Sequence, residues 1–150
     1  MDKVKDILII VFFIVIAANL DSDLDWNEDG IRWYGYDEGM EIATKKHLPV
    51  IIVAYADWCG YCERYSKMFQ DKDVEQAMKR VLAIKFNIDN RDGWENNQDL
   101  KTKSVPRTYA LDRAGHFIQN PNRASFEKYY FYWTGNKESL LDFIDYVATS

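Results

Sequence analysis

Two cysteines, Cys59 and Cys62, are the only thiols in 150 residues, and they stand three positions apart. They sit in Trp58-Cys59-Gly60-Tyr61-Cys62, after the apolar run Val50-Ile51-Ile52-Val53-Ala54-Tyr55 and before a stretch with helical spacing. A Cys-x-x-Cys where a strand hands over to a helix is a redox signature. The amides that open the helix point at the first sulfur and favour its thiolate. The second sulfur lies one turn on, within reach of the first. Cys59 is thus expected to have a depressed pKa and to attack, and Cys62 to resolve the mixed disulfide by attacking Cys59. A pair this close is not the disulfide framework of a small secreted scaffold.

The elements around the pair can be read from pattern. The apolar, β-branched run over Val50–Tyr55 predicts a strand buried on both faces. A helix is expected from Cys59 to about Gln70, with Cys62, Tyr65 and Phe69 on its inner face and Cys59 at its exposed start. Another is expected over Asp37–His47, capped by Asp37, with Lys45, Lys46 and His47 in its last turn. Asp73 is expected to cap a short helix through Lys79. Leu82–Ile88 alternates like a strand. Asp89–Gly93 reads as a loop and 94–103 as a short helix. Tyr109–Leu111 and His116–Gln119 read as two strands of a hairpin, and Asn120–Ser125 as a loop. The aromatic run Tyr129-Tyr130-Phe131-Tyr132-Trp133 reads as core, with a protein-contact patch as its functional alternative. Asn136 is placed to cap a last helix through Ala148. A βαβ unit followed by a hairpin and a helix is an α/β domain, a central mixed β-sheet flanked by helices.

Composition narrows the function. The net charge is −5 without a clustered basic patch, which speaks against nucleic-acid binding. Lys3 and Lys5 precede an unbroken apolar block, Ile7–Ala18, that is shorter than the roughly 20 residues of a membrane span. Residues 1–18 therefore read as a signal peptide, with an uncleaved membrane anchor as the alternative. The expected location is exported: periplasmic, secreted or in the secretory-pathway lumen, where disulfides persist. Residues 19–35 read as an acidic linker or loosely attached lead-in whose charges are solvated. The remaining 36–150 form the domain.

Ala56-Asp57-Trp58-Cys59-Gly60-Tyr61-Cys62 resembles the active-site stretch of the thioredoxin family. Lys85-Phe86-Asn87-Ile88-Asp89 resembles the strand after the active-site helix. Val105-Pro106, 44 positions after Cys62, is similar to the family's cis-proline site. A closer likeness is to small single-domain members of the secretory pathway, the anterior-gradient-like group, and to periplasmic bacterial domains. It rests on Val105-Pro106-Arg107, on Leu111-Asp112 with Gly115, and on the aromatic run. The resemblance implies a thioredoxin fold and a thiol–disulfide oxidoreductase acting on protein substrates. It implies catalysis by Cys59 and Cys62 and substrate contact by Trp58, Tyr61, Val105 and Pro106. A cis bond before Pro106 would turn the Val105 backbone towards the site, where it could pair with an extended substrate strand.

Expected partners are protein thiols or disulfides and a redox partner protein, with no cofactor, no metal and a monomeric chain; a membrane enters only if the first segment stays uncleaved. Three departures stand out. Many thioredoxins carry a buried acid where Val53 stands, while Lys85, which resembles that acid's partner, is kept. The final Val147-Ala148-Thr149-Ser150 is not an ER-retention tetrapeptide. Gly60-Tyr61 lacks the proline common in thioredoxins and is similar to the pair of periplasmic disulfide isomerases. Asp57 and Glu63 read as solvated charges, with proton shuttling as the alternative. His47 serves a helix end and His116 a strand surface. Two other functions remain open: a non-catalytic client-binding module on the same scaffold, and dithiol handling of Cu(I) or Zn, since soft metals take thiolates.

Overall fold

The computed structural model describes residues 24–100, 104–119, 130–131 and 135–150. The signal or anchor segment, residues 19–23 of the lead-in, the 120–125 loop and most of the aromatic run lie outside them. The order is β1 (Trp33–Tyr34), α1 (Tyr36–Lys46), β2 (Val50–Tyr55), α2 (Gly60–Met68), α3 (Lys72–Met78) and β3 (Leu82–Asn87). Two 3-10 turns come next, Trp94–Asn96 and Gln98–Leu100. Then come β4 (Arg107–Leu111), β5 (Tyr130–Phe131) and α4 (Lys137–Ala148).

The strands form one mixed sheet in the order β1-β3-β2-β4-β5. β3 lies parallel to both β1 and β2, while β4 runs antiparallel to β2 and β5. The apolar β2 is therefore central, paired along both edges. Successive side chains on a strand point to opposite faces. Ile51 and Val53 accordingly meet Tyr65, Phe69, Val74, Met78, Leu140 and Ile144 from α2, α3 and α4. Ile52 and Ala54 meet Tyr36, Ala43 and Leu100 on the other face. This is the α/β thioredoxin fold, a mixed sheet with helices on both sides.

Several boundaries differ from the pattern-based reading. Asp37 does not cap α1. Gly35 stands at the cap with no side chain to offer, and Asp92 Oδ2, from the loop after β3, accepts the Tyr36 N–H at 3.2 Å. His47 ends the helix in the left-handed region at φ 51°. Asp71 rather than Asp73 caps α3, accepting from the Asp73 and Val74 amides at 2.9 and 3.4 Å. A cap must precede the first turn, and Asp73 is already inside it. The polar stretch after Gly93 makes two 3-10 turns in place of one helix. The second hairpin strand is reduced to a bridge between Leu111 and Phe117. Asn136 does cap α4, accepting from the Glu138 and Ser139 amides.

At Gly39, α1 crosses β3 so closely that a Cβ would lie 2.5 Å from Ile84 Cγ1. The packing requires glycine there, although alanine favours a helix by about 1 kcal/mol.

The lead-in is not loose over its described part. Trp26 is buried among Trp33, Tyr55, Tyr65 and Phe69, with ring centroids 5.2–6.2 Å away. Trp33 Nε1 donates to Trp26 O at 2.7 Å, and Asn27 Nδ2 donates to Phe69 O at 2.8 Å and Glu75 Oε2 at 3.0 Å. The acids Asp25, Glu28 and Asp29 are solvated, as a charge run should be. The indole among them belongs to the core.

Candidate active site

Cys59 is the N-cap of α2, with extended backbone, and its Sγ accepts the Cys62 N–H at 3.1 Å. The helix thus directs an amide at the first sulfur. The two cysteines stand at disulfide distance, with Cα atoms 5.2 Å apart. Cys62 is sealed at 0 % exposure, packed inward with Tyr65 and Phe69. Cys59 retains 7 %, less than an exposed helix start was expected to give. Leu24, Tyr55, Ile88 and Val105 close in around Ala56 and the pair. Only the Cys59 side of the pair reaches the surface.

Trp58 and Tyr61 are 66 % and 64 % exposed, so neither serves the core. Their positions are nonetheless held. Trp58 Nε1 donates to Asp89 Oδ2 at 2.8 Å. The Asp89 amide donates to Asn87 Oδ1, and Asn87 Nδ2 donates to Asp57 Oδ2, both at 2.9 Å. This chain of bonds ties the loop before Cys59 to the end of β3. The Arg64 guanidinium lies 4.3 Å over the Tyr61 ring. Glu63 is paired with Lys67 at 2.6 Å.

The Val105–Pro106 peptide is cis, and Val105 O lies 3.5 Å from Cys59 Sγ. β4 begins directly after it and carries Val105 to the pair through its register with β2, where Ala54 faces Arg107.

Val53, at the position where many thioredoxins carry an acid, is fully buried and faces Lys85 in the parallel register of β2 and β3. Lys85 finds its carboxylate elsewhere: its Nζ contacts Glu28 Oε1 of the lead-in. The same ammonium lies 5.9 Å from the Tyr55 ring. Burial, and then the negative charges of Asp57 and Glu28, push the Tyr55 phenol up. Burial pushes Tyr65 far above its ordinary value, against the opposing hydrogen bond with Thr108 at 2.8 Å. Both phenols are neutral at physiological pH. The histidines stand apart: His47 closes α1, and His116 Nδ1 lies 3.4 Å from Asp112.

Sequence reasoning brought Trp58, Cys59, Tyr61, Cys62, Val105 and Pro106 to one region, and the fold places them there. It missed Leu24, Glu28 and the Asn87–Asp89 link. Trp26, a lone indole inside an acidic run, was the available signal that the lead-in packs.

A mixed sheet that presents a Cys-x-x-Cys pair at the head of a helix defines the dithiol–disulfide class of α/β proteins. The chain belongs to the thioredoxin-like family, whose model matches residues 32–112. Among curated relatives it is 27% identical over 88 residues to Anterior gradient protein 3 of Xenopus tropicalis, covering 58% of this chain and 52% of that one. It is 31% identical over 84 residues to the thiol:disulfide interchange protein DsbD of Ralstonia nicotianae, covering 53% and 14%. The chain thus spans about half the length of the first relative and a seventh of the second. A thioredoxin from Thermus thermophilus superposes with TM-score 0.62 at 17% identity, over 79% of this chain and 87% of that one, a likeness of fold. No helix among the described residues is long and apolar enough to cross a membrane.

Proposed function

We propose that this protein exchanges disulfides with protein substrates through Cys59 and Cys62. The observation that carries the reading is the Cys59 sulfur: it accepts the Cys62 amide at the head of α2 and alone of the pair has a surface. In the reducing direction the Cys59 thiolate attacks one sulfur of a substrate disulfide. A Cys59–substrate disulfide forms and the other substrate sulfur leaves as thiolate. Cys62, once deprotonated, attacks Cys59 Sγ, forming the Cys59–Cys62 disulfide and releasing the second substrate thiolate. In the oxidising direction a substrate thiolate attacks Cys59 Sγ and expels Cys62 as thiolate; a second substrate thiolate then displaces Cys59. A thiol or disulfide of a redox partner protein resets the pair.

Trp58 and Tyr61 supply the apolar rim for a protein substrate, and the Val105 backbone and Pro106 its neighbouring wall. Backbone pairing along an extended segment gives affinity without demanding one sequence. We further propose that the protein acts in an exported compartment, a reading supported by the charged and apolar N-terminal segment. Direction follows from the reduction potential, where about 30 mV is a tenfold change in equilibrium for two electrons.

The test is insulin reduction and refolding of scrambled ribonuclease, with Cys62→Ser and Cys59→Ser in parallel. Cys62→Ser is expected to accumulate substrate-linked protein on non-reducing gels, and Cys59→Ser to lose turnover and trapping together. Flat assays with the wild type, or a Cys59→Ser variant that behaves like it, would overturn the reading.

A further inference from the structure

The surface around Cys59 is not built from the family-matched region alone. A cleft of about 150 Å³ opens beside Cys59, lined by Leu24, Asp57, Trp58, Cys59, Gly60 and Glu63. Five of these belong to the active-site loop and the first turn of α2. Leu24 comes from the lead-in, eight positions before the matched residues begin at 32. It packs against the cluster of Ala56, Cys59 and Cys62 while staying partly exposed.

The neighbouring residues of the lead-in fix its place. Two positions on, Trp26 is sunk into the core at 2 % exposure. Gln70 Nε2 donates to Asp25 O at 3.2 Å, and Asn27 is bonded to Phe69 O and Glu75. Leu24 is therefore delivered to Cys59 by anchored backbone. The other walls are also fastened: Asp57 to Asn87, Trp58 to Asp89, and Glu63 to Lys67. Gly60 contributes no side chain. The width of the cleft thus depends on the bulk at position 24.

We propose that Leu24 is a specificity-determining residue of the exchange reaction, which sizes a subsite for the side chain next to the attacked substrate cysteine. This rests on the proposed oxidoreductase function. When the Cys59 thiolate attacks, the new sulfur–sulfur bond joins the substrate to Cys59, and the broken bond releases the far substrate sulfur as thiolate. The residues flanking the joined cysteine must then lie against the Cys59 surroundings. A cavity of this volume accommodates about one benzene ring. Leu24 and Trp58 wall one part of the cleft and Asp57 and Glu63 the rest, so a side chain of about leucine size fits within it while an indole is left partly outside.

The test is a bump-and-hole series on the full chain. Peptide disulfides of the form X-Cys-X, with X alanine, leucine or tryptophan, are reduced by wild type, Leu24→Ala and Leu24→Trp, with dithiothreitol as the terminal reductant. Insulin turnover and thermal melts are measured alongside. Wild type is expected to favour X = Leu over X = Trp by about tenfold, the lower end for a mismatch of pocket size, because this cleft is open on one side. In Leu24→Ala that ratio should fall to about one as the enlarged cleft admits the indole. Leu24→Trp should slow the X = Leu peptide while sparing X = Ala. Equal leucine-to-tryptophan ratios in wild type and Leu24→Ala, with insulin still turned over, would overturn the role of Leu24 alone. Absence of insulin and peptide turnover in the wild type would overturn the oxidoreductase reading, and this inference with it.

Discussion

Trp58 is two-thirds exposed, yet its indole N–H is committed to Asp89. An exposed aromatic ring that must also hold one orientation needs such a tether, since packing does not supply it. Asp89 in turn takes its place from Asn87, which also grips Asp57. Replacing Asp89 with alanine should therefore loosen the indole without touching either sulfur. We expect KM for a protein substrate to rise about two- to tenfold, the range of one hydrogen bond's net worth, with kcat less affected. Steady-state insulin kinetics read this; a fall in kcat at constant KM would place Trp58 in the chemistry instead. The Val53–Lys85 pair shows the same logic in the interior. A lysine whose side chain is 18% exposed needs a carboxylate nearby, and with valine facing it across the strands that carboxylate is Glu28.

At the scale of elements, Glu75 of α3 adds a charged anchor to the buried Trp26 that holds the lead-in in place. Its carboxylate accepts from Asn27 Nδ2 and Lys72 Nζ, and these bonds hold its pKa below the ordinary value. The folded pKa is depressed, so the stabilisation is fully present above the unfolded value near 4.3 and fades as pH falls through the lower folded value. Wild type should accordingly be more stable than Glu75→Gln near pH 6, with the gap closing towards pH 3. Urea unfolding followed by tryptophan fluorescence, which reports on Trp26 and Trp33, measures it. A gap that stays constant from pH 6 to 3 would show that the carboxylate's charge is not what pins the segment.

For the whole molecule, the family match begins at residue 32 while the core reaches back to Trp26. A chain beginning at Arg32 would lose Trp26, Ile31 and the carboxylate of Lys85. Losing one buried tryptophan side chain costs about 3–5 kcal/mol, against a total stability of about 5–15 kcal/mol for a domain. We therefore expect a chain starting at Arg32 to melt well below one starting at Asp23, or not to fold at physiological temperature. Calorimetry of the two decides the matter, and equal melting temperatures would show that the lead-in is dispensable.

The central strand, the helix that carries Cys62 inward and the cap of α4 were all legible because each is a local pattern. An apolar β-branched run, a repeat at helical spacing and an asparagine before a helix act over a few residues. The meeting of Cys59 with Val105 and Pro106 was legible only through family resemblance, since nothing local links positions so far apart. Three features were left to tertiary structure. Asp71 caps α3 because the helix begins two residues earlier than the acid spacing implied. Lys85 pairs with Glu28 because Trp26 and Asn27 hold the lead-in against the face of the sheet that α2 and α3 cover. Leu24 reaches Cys59 because burying one indole pins the chain on either side of it. By itself the sequence determined where the cysteine pair stands and on what kind of sheet. Only the folded structure decided what surrounds them, because long-range packing brought Leu24, flanked in sequence by acids, to the wall of the site.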